Sequence, residues 1–172
     1  MPELQRLRRD HAPALLAFEL ENRDYFAKSV PDRGDAYFAE FDIRHEALLA
    51  EQDAGTCHFH VLVDGEADAD TDADTDGAVV GRVNLVDVAG GEAELGYRVA
   101  ERAGGRGLAT AAVRRLCELA HAEYGLTALR AATDAGNAGS RAVLERTGFV
   151  VVGEVALPLE GWTEVRYFRE LR

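Results

Sequence analysis

A glycine-rich turn between a predicted strand and a predicted helix is the segment of this sequence best suited to chemistry. The turn reads Arg102-Ala-Gly-Gly-Arg-Gly-Leu-Ala109. Glycines let the backbone approach a ligand closely and leave several N–H groups pointing outward. The start of a helix adds about half a positive charge. Together these features predict a backbone cradle for a phosphate group, to which Arg102 and Arg106 add local positive charge.

The residues around this turn exclude two familiar glycine-rich motifs. No Gly-Lys-Ser/Thr follows, as a Walker loop requires, and the turn is not a G-x-G-x-x-G in an early βαβ unit. A turn of this kind also suits a tight connection that binds nothing. A phosphate cradle therefore needs support from elsewhere in the chain.

The elements that would position the turn follow from hydrophobic periodicity. Residues 93–99 alternate as a strand does, and apolar residues recur at helical spacing from Gly107 to about Tyr124. Weaker patterns predict strands over 4–8, 56–63, 78–86, 128–133, 150–155 and 164–171, and helices over 11–21, 37–52 and 137–146. The predicted order is β-α-α-β-β-β-α-β-α-β-β, a mixed sheet with helices against it.

A second segment follows the turn after one helix and one strand, and reads Asn137-Ala-Gly-Ser-Arg-Ala-Val-Leu-Glu-Arg-Thr-Gly-Phe149. The two segments together resemble the GNAT superfamily of acetyltransferases. Arg102-x-x-Gly105-x-Gly107 matches its Gln/Arg-x-x-Gly-x-Gly/Ala signature, and the second segment looks like its Asn-led helix ending in Gly-Phe. Ala93-Glu-Leu-Gly-Tyr97 and Ser140 are similar to ribosomal-protein N-terminal acetyltransferases of the RimJ/RimL kind. The resemblance covers essentially the whole chain, with the N-terminal third matched by pattern only.

The resemblance implies a single domain over residues 1–172 with an α+β (mixed α/β) fold. Its central sheet would be mixed and mostly antiparallel, with helices on its faces. The sheet would splay between the fourth and fifth strands, where the strand ending at Val99 leaves the one ending at Thr133. Acetyl-CoA would enter that gap.

The resemblance also implies which residues would bind acetyl-CoA as the co-substrate. Backbone groups from Gly104 to Ala109 would bind the pyrophosphate. Val99 would hold the pantetheine and polarise the acetyl carbonyl through its backbone N–H, and Asn137 would contact the pantetheine arm. The expected cofactor-binding residues are Val99, Arg102, Gly104, Gly105, Arg106, Gly107, Leu108, Ala109 and Asn137. No metal is expected.

Two residues are predicted to be catalytic, Glu94 and Ser140. An amine must lose its proton before or during attack on a thioester, and a carboxylate acting through water is a suitable base. Glu94 is the leading candidate and Glu92 the second, although a lone glutamate on a strand also suits a solvated or salt-bridged role.

The acid is less clearly marked than the base. Many GNAT members carry a tyrosine acid where this chain has Leu144. Ser140 would instead sit near the sulfur and protonate or orient the leaving thiolate, or no acid is needed because a thiolate leaves readily near neutral pH.

The histidines, the tryptophan and the cysteines are weaker candidates for a functional site. His58 and His60 share one strand face but lack a third ligand, so core or surface histidines are expected rather than half a metal site. Trp162 could line an acceptor pocket or pack in the core. Cys57 and Cys117 match no metal spacing and are predicted to be buried free thiols in a reducing cytoplasm.

Residues 64–77 predict an acidic hairpin loop. Asp72, Asp74, Asp76 and Gly77 copy positions 1, 3, 5 and 6 of an EF-hand loop. Position 12 is Val83 instead of glutamate, and the flanking segments read as strands, so a solvated loop is favoured over an ion site.

The chain has 31 acidic and 19 basic residues, a net charge of −12. This balance resembles that of proteins from salt-loving organisms, or serves to attract a cationic partner. Nucleic-acid binding is disfavoured, since no basic patch stands out. No run of about 18 apolar residues could span a membrane, and the first residues lack the apolar stretch of a secretory signal, so a cytoplasmic protein is expected.

Three functions fit these observations. The first is N-acetylation of a protein N-terminal amine, for which an acidic surface would favour a basic tail such as those of ribosomal proteins. The second is acetylation of a small amine, namely a polyamine, an amino acid or an antibiotic. The third is a non-catalytic CoA-binding module on the same fold. A homodimer is one option for the assembly.

Overall fold

Seven strands form one sheet in the computed structural model, which describes residues 2–65, 77–157 and 161–172. In chain order they are β1 (Glu3–Arg6), β2 (His58–Val63), β3 (Val79–Ala89), β4 (Glu92–Val99), β5 (Ala128–Asp134), β6 (Val150–Ala156) and β7 (Thr163–Glu170). Across the sheet the order is β1-β2-β3-β4-β5-β7-β6. Neighbouring strands are antiparallel except β4 and β5, which are parallel. The predicted mixed, mostly antiparallel sheet is confirmed.

Six described helices cover this sheet, namely α1 (Ala12–Glu21), α2 (Arg23–Ala27), α3 (Asp35–Ala39), α4 (Phe41–Asp53), α5 (Leu108–Ala122) and α6 (Ala138–Arg146). On β4, Arg98 pairs with Glu19 of α1, whereas Tyr97 bonds to Ser140 of α6. Consecutive strand residues point to opposite faces of a sheet. The α1 face and the α6 face are therefore the two sides of the sheet, and α5 lies beside α6.

The apolar pattern of the sequence explains how α5 docks. Its buried residues recur at helical spacing, and they are Leu108, Ala112, Val113, Leu116, Cys117 and Ala120. They join Ala93 and Leu95 of β4 in one buried core. An apolar stripe of this kind fixes the helix against the sheet, and so fixes where the glycine turn before it lies.

A buried carboxylate ties α1 to the two central strands on the other face. Glu19 is 1% exposed. It accepts hydrogen bonds from Arg82 of β3 at 2.9 Å and from Arg98 of β4 at 3.2 Å. Because removing one partner would leave buried charge uncompensated, this group holds α1 in a fixed place over β3 and β4.

Some element boundaries differ from the prediction. The predicted helix over 37–52 is two helices, because the backbone of Glu40 (φ −103°, ψ 18°) departs from helical geometry between α3 and α4. Helix α2 was not predicted, since five residues with one buried side chain, Phe26, show no period. Strand β3 runs on to Ala89, and the turn into β4 is only Gly90 and Gly91, both at positive φ.

Most of the predicted acidic loop lies outside the described residues. The aspartates that copy an EF-hand fall within 66–76 and are not described. The strands at its two ends, β2 and β3, pair antiparallel, and the Asp64 N–H donates to the Ala78 carbonyl at 2.9 Å. The described helices include none with the length and apolar content needed to cross a membrane.

Candidate active site

The sheet opens between β4 and β5. Their parallel pairing joins Glu92–Leu95 to Ala128–Ala131, and in the described structure Gly96–Val99 does not pair with β5. Beyond Ala131, β5 continues along β7 to Asp134. The predicted splay between the fourth and fifth strands is confirmed.

Backbone groups of β4 face this gap. The Ala100 N–H donates to the Val80 carbonyl of β3 at 2.8 Å. Because N–H groups alternate in direction along a strand, the N–H of Val99 points to the opposite edge, which β5 has left. By the same alternation, the backbone N–H of Tyr97 points to that edge as well. The gap thus offers backbone donors and acceptors that an extended ligand could pair with.

The glycine turn stands at the end of this strand. A short 3-10 turn, Glu101–Ala103, leads into Gly104. Gly105 and Gly107 adopt left-handed φ values of +76° and +74°, and Gly107 is the N-cap residue of α5. A Cβ placed on either glycine meets no heavy atom within 4 Å. The backbone conformation therefore favours glycine, while the space beside it is open.

The first turn of α5 provides the donors that an anion would need. The Ala111 N–H bonds to the Gly107 carbonyl at 3.0 Å. The amides of Leu108, Ala109 and Thr110 precede it and have no acceptor within an α-helix. The predicted cradle residues, Gly104 to Ala109, are thus together at a helix start. These groups fit a pyrophosphate such as that of acetyl-CoA, the co-substrate that the resemblance implies.

The two arginines of the turn differ in their surroundings. Arg106 donates to the Arg102 carbonyl at 3.1 Å and so stays folded over the turn. The Arg102 Nε lies 3.5 Å from a Glu21 carboxylate oxygen, and both side chains are about half exposed. An exposed pair of this kind is weak, so Arg102 can exchange Glu21 for a phosphate at little cost.

Asn137 and Ser140 are brought together at the start of α6. The Asn137 Oδ1 accepts the Ser140 N–H at 3.1 Å, so Asn137 caps the helix. The Ser140 Oγ lies 2.9 Å from the Tyr97 hydroxyl, which also donates to the Ser140 carbonyl at 3.1 Å. Tyr97 and Ser140 therefore connect β4 to α6 on the α6 face.

The sequence predicts no role for Tyr97 in this site. Burial raises the pKa of Tyr97, and its bond to Ser140 opposes that shift in part. The phenol is therefore protonated at neutral pH. The signal that could have found it was the strand alternation, which places Tyr97 with Leu95 and Val99 on the face that α6 covers.

Glu94 lies on the other face of β4. It is half-buried, and its cross-strand neighbours are Val86 and Arg130. Glu92, the second candidate base, is instead 3.7 Å from Arg130 with both side chains nearly half exposed. The predicted alternation is confirmed, and it places Glu94 and Ser140 on opposite sides of the strand.

The remaining candidates have structural surroundings. Leu144 is 1% exposed, so the position of the usual tyrosine acid is core here. His60 Nε2 is 2.7 Å from the Tyr124 hydroxyl and His58 stacks on the Tyr124 ring at 3.8 Å. Burial, with Arg6 nearby, lowers the pKa of His60 to about 4. Within the described chain, no three His, Cys, Asp or Glu side chains converge as a metal site needs.

Cys57, Cys117 and Trp162 are also placed by the structure. Both cysteines are free and buried, and burial raises the pKa of each thiol. The prediction of buried free thiols is confirmed. Trp162 is half-buried, and its carbonyl accepts the Leu157 N–H at 3.1 Å.

Comparison with known proteins agrees with this geometry. The model of the acetyltransferase (GNAT) domain matches residues 3–150. The chain belongs to the GNAT acetyltransferase family. Among curated proteins, "Putative ribosomal N-acetyltransferase YdaF" of Bacillus subtilis (strain 168) is 38% identical to this GNAT protein over 80 residues. That match spans 45% of the chain and 44% of its relative, so this GNAT protein aligns with less than half the relative's length.

Solved structures extend the likeness to the whole fold. The ribosomal-protein-S5-alanine acetyltransferase of Vibrio fischeri gives a TM-score of 0.87 at 19% identity, covering 98% of this chain and 92% of that one. RimJ of Mycobacterium smegmatis, in complex with CoA-disulfide, gives a TM-score of 0.80 at 23% identity. This match covers 97% of this chain and 80% of that one. Spermidine N-acetyltransferase of Vibrio cholerae, with CoA and spermine, gives a TM-score of 0.75 at 17% identity. This match covers 98% of this chain and 95% of that one. This GNAT protein shares its fold with all three.

The capping role of Asn137 makes a first testable prediction. Asn137→Ala should lower the free energy of unfolding by about 1 kcal/mol, because it removes the cap of α6. Asn137→Asp keeps the acceptor and should lower it less. Urea unfolding followed by circular dichroism measures both variants, and equal losses would contradict the cap.

Proposed function

We propose that this GNAT protein is an N-acetyltransferase that moves the acetyl group of acetyl-CoA directly to the N-terminal amine of a protein. The observation that carries the proposal is the open gap beside Val99, which ends at the left-handed glycine turn of α5. When bound, acetyl-CoA supplies the thioester. The match to a ribosomal N-acetyltransferase relative supports a protein acceptor.

The proposed binding residues follow the order of the site. Backbone N–H groups from Gly104 to Ala109 would hold the pyrophosphate, with Arg102 and Arg106 adding charge. Val99 would pair with the pantetheine along the gap. Asn137, at the start of α6, would contact its other side. In this arrangement the reacting carbonyl would lie near the N–H of Val99.

The residues on the two faces of β4 suggest a division of roles. The Val99 N–H would donate to the acetyl carbonyl oxygen, where negative charge develops as the amine attacks. Glu94, on the α1 face and five residues before Val99, would accept the proton of that amine through a chain of water molecules. On the α6 face, the Ser140 hydroxyl would donate to the departing sulfur. The Tyr97 hydroxyl, 2.9 Å from the Ser140 Oγ, would hold that serine in place, and CoA would leave as the thiolate.

A small amine is the second candidate acceptor. It is supported by the likeness of this fold to a spermidine N-acetyltransferase. The net charge of −12 favours a cation or a basic protein tail at long range. The two buried free cysteines support a cytoplasmic protein. The homodimer option stays a prediction.

A thiol-release assay with acetyl-CoA tests the proposed function. We expect peptides with a free N-terminus to release CoA faster than spermidine or free amino acids do, and N-terminally blocked peptides to release none. Faster release with spermidine would favour the second candidate. CoA binding without turnover of any amine would favour a non-catalytic module, and no detectable CoA binding would contradict every one of these functions.

A further inference from the structure

A cavity of about 210 Å³ lies on the α1 face of the sheet. Helices α1, α3 and α4 and strands β2 and β3 enclose it. Aromatic rings line its walls, among them Tyr37, Phe41 and Phe59. A bound water occupies about 30 Å³, so this space suits a whole side chain. We call it the α1-face cavity.

The charges that line this cavity are positive. Arg33, Arg44 and Arg82 line it, and its described lining includes no carboxylate. Arg82 is compensated by Glu19, but Arg98 shares that same carboxylate. Arg44 reaches Glu40 only at 3.8 Å. In a chain with a net charge of −12, this local excess of arginine favours an anionic ligand.

Arg33 adds to this excess. Its guanidinium lies 4.7 Å from the centre of the Tyr37 ring. None of the ion pairs among the described residues includes it. A guanidinium held over a ring at the edge of a cavity is placed to pair with a carboxylate.

Two buried acceptor atoms of the lining lack partners. The His45 Nε2 donates to the Arg8 carbonyl at 2.9 Å, so in the neutral ring Nδ1 is an acceptor. The His45 Nδ1 and the Asn84 Oδ1 are buried without a hydrogen-bond partner in the described structure. Such atoms normally have one. A small rotation of either side chain would present its acceptor to a ligand that brings N–H donors as well as negative charge.

The cavity lies beside the gap between β4 and β5, three residues along β4 from Val99. Asn84 of β3 is the cross-strand neighbour of Gly96, the first residue of β4 beyond its pairing with β5. Gly96 is exposed, and a Cβ placed on it meets no heavy atom within 4 Å. Neighbouring strands are about 4.8 Å apart, and an extended chain advances about 3.5 Å per residue. The second or third residue of an acceptor peptide can reach the cavity.

We infer that the α1-face cavity binds an acidic side chain at the second or third position of the acceptor. This inference rests on the proposed transfer to a protein N-terminal amine. The arginines pair with the carboxylate, and the peptide's own N–H groups supply the donors for His45 and Asn84. A polyamine, which is cationic along its length, would meet the arginines unfavourably. Net charge draws partners from a distance, whereas these arginines select at contact.

Matched peptides test this inference by transfer and by binding. The peptides differ only in carrying aspartate, asparagine or lysine at position two or three. We expect the aspartate peptides to exceed the lysine peptides at least tenfold in kcat/KM. In calorimetry the aspartate peptides should also bind to the CoA-saturated protein more tightly than the lysine peptides do. This measurement needs no turnover.

Arg44→Glu should lower the ratio of kcat/KM for aspartate peptides to that for lysine peptides at least tenfold. The Kd for acetyl-CoA should stay within about twofold. Arg44 is half exposed, so the variant should fold, which a thermal melt checks. Arg115→Glu changes the net charge equally on exposed α5 and should keep the preference.

The outcomes separate the two proposals. Transfer to amines without an aspartate preference overturns the cavity inference alone. CoA binding with no transfer to any amine overturns the proposed function. In that case calorimetry still shows whether the cavity binds aspartate peptides more tightly than lysine peptides. Equal binding of aspartate and lysine peptides, or equal effects of Arg44→Glu and Arg115→Glu, overturns the inference.

Discussion

Replacing Gly105 with aspartate is expected to weaken acetyl-CoA binding at least about 100-fold. Gly105 has φ +76°, a conformation that aspartate tolerates better than most residues, so backbone strain costs only about 1–2 kcal/mol. The larger effect is charge. Two unit charges about 4 Å apart near a protein surface interact by about 4 kcal/mol. The new carboxylate would face the pyrophosphate across the open space beside Gly105.

Gly105→Asn is the matched control for that variant. Asparagine has the same size and a similar tolerance of positive φ, but it adds no charge. We expect it to weaken binding by about tenfold or less. Calorimetry with CoA measures both, and thermal melts should show both folded because the added side chain meets no neighbour. Unchanged affinity in Gly105→Asp, or equal losses in the two variants, would contradict the phosphate cradle.

The parts of this site that are local in sequence were predictable. A strand, a turn with two left-handed glycines and an amphipathic helix all leave marks over a few consecutive residues, so Val99 to Ala109 could be placed before the fold was known. Helix α6 could be placed for the same reason, whereas the binding role of Asn137 came from the family resemblance. The splay between β4 and β5 came from the family resemblance, because no local pattern encodes where two distant strands separate.

The parts that depend on distant contacts were not predictable. Tyr97 meets Ser140 across 43 positions of sequence, and Glu19 meets Arg82 across 63. Nothing in the composition indicated that arginines would gather on the α1 face of an acidic protein. Helices α2 and α3, which help to build that face, are five residues each and too short to show a hydrophobic period. The acceptor side was therefore the least predictable region.

Replacing Glu94 with glutamine is expected to lower kcat/KM for a peptide amine about 100-fold or more, the usual contribution of a positioned general base. Glutamine keeps the size and polarity of the side chain but cannot take a proton. The Kd for acetyl-CoA should stay within about twofold, because Glu94 lies on the α1 face, away from the glycine turn. A peptide α-amino group titrates near pH 7.7–8.0, so the defect should be largest below that range and should narrow above it.

Glu92→Gln provides the control for this experiment, because Glu92 lies two residues earlier on the same face of β4. Its ion pair with Arg130 is nearly half exposed, and such pairs contribute little, so its rate should change by no more than about threefold. Single-turnover transfer measured from pH 6 to 9.5 compares the two variants. A loss confined to Glu92→Gln would transfer the role of base to that residue. Unchanged rates in both would leave this face of β4 without a base, and the proton would then pass directly from the amine to water.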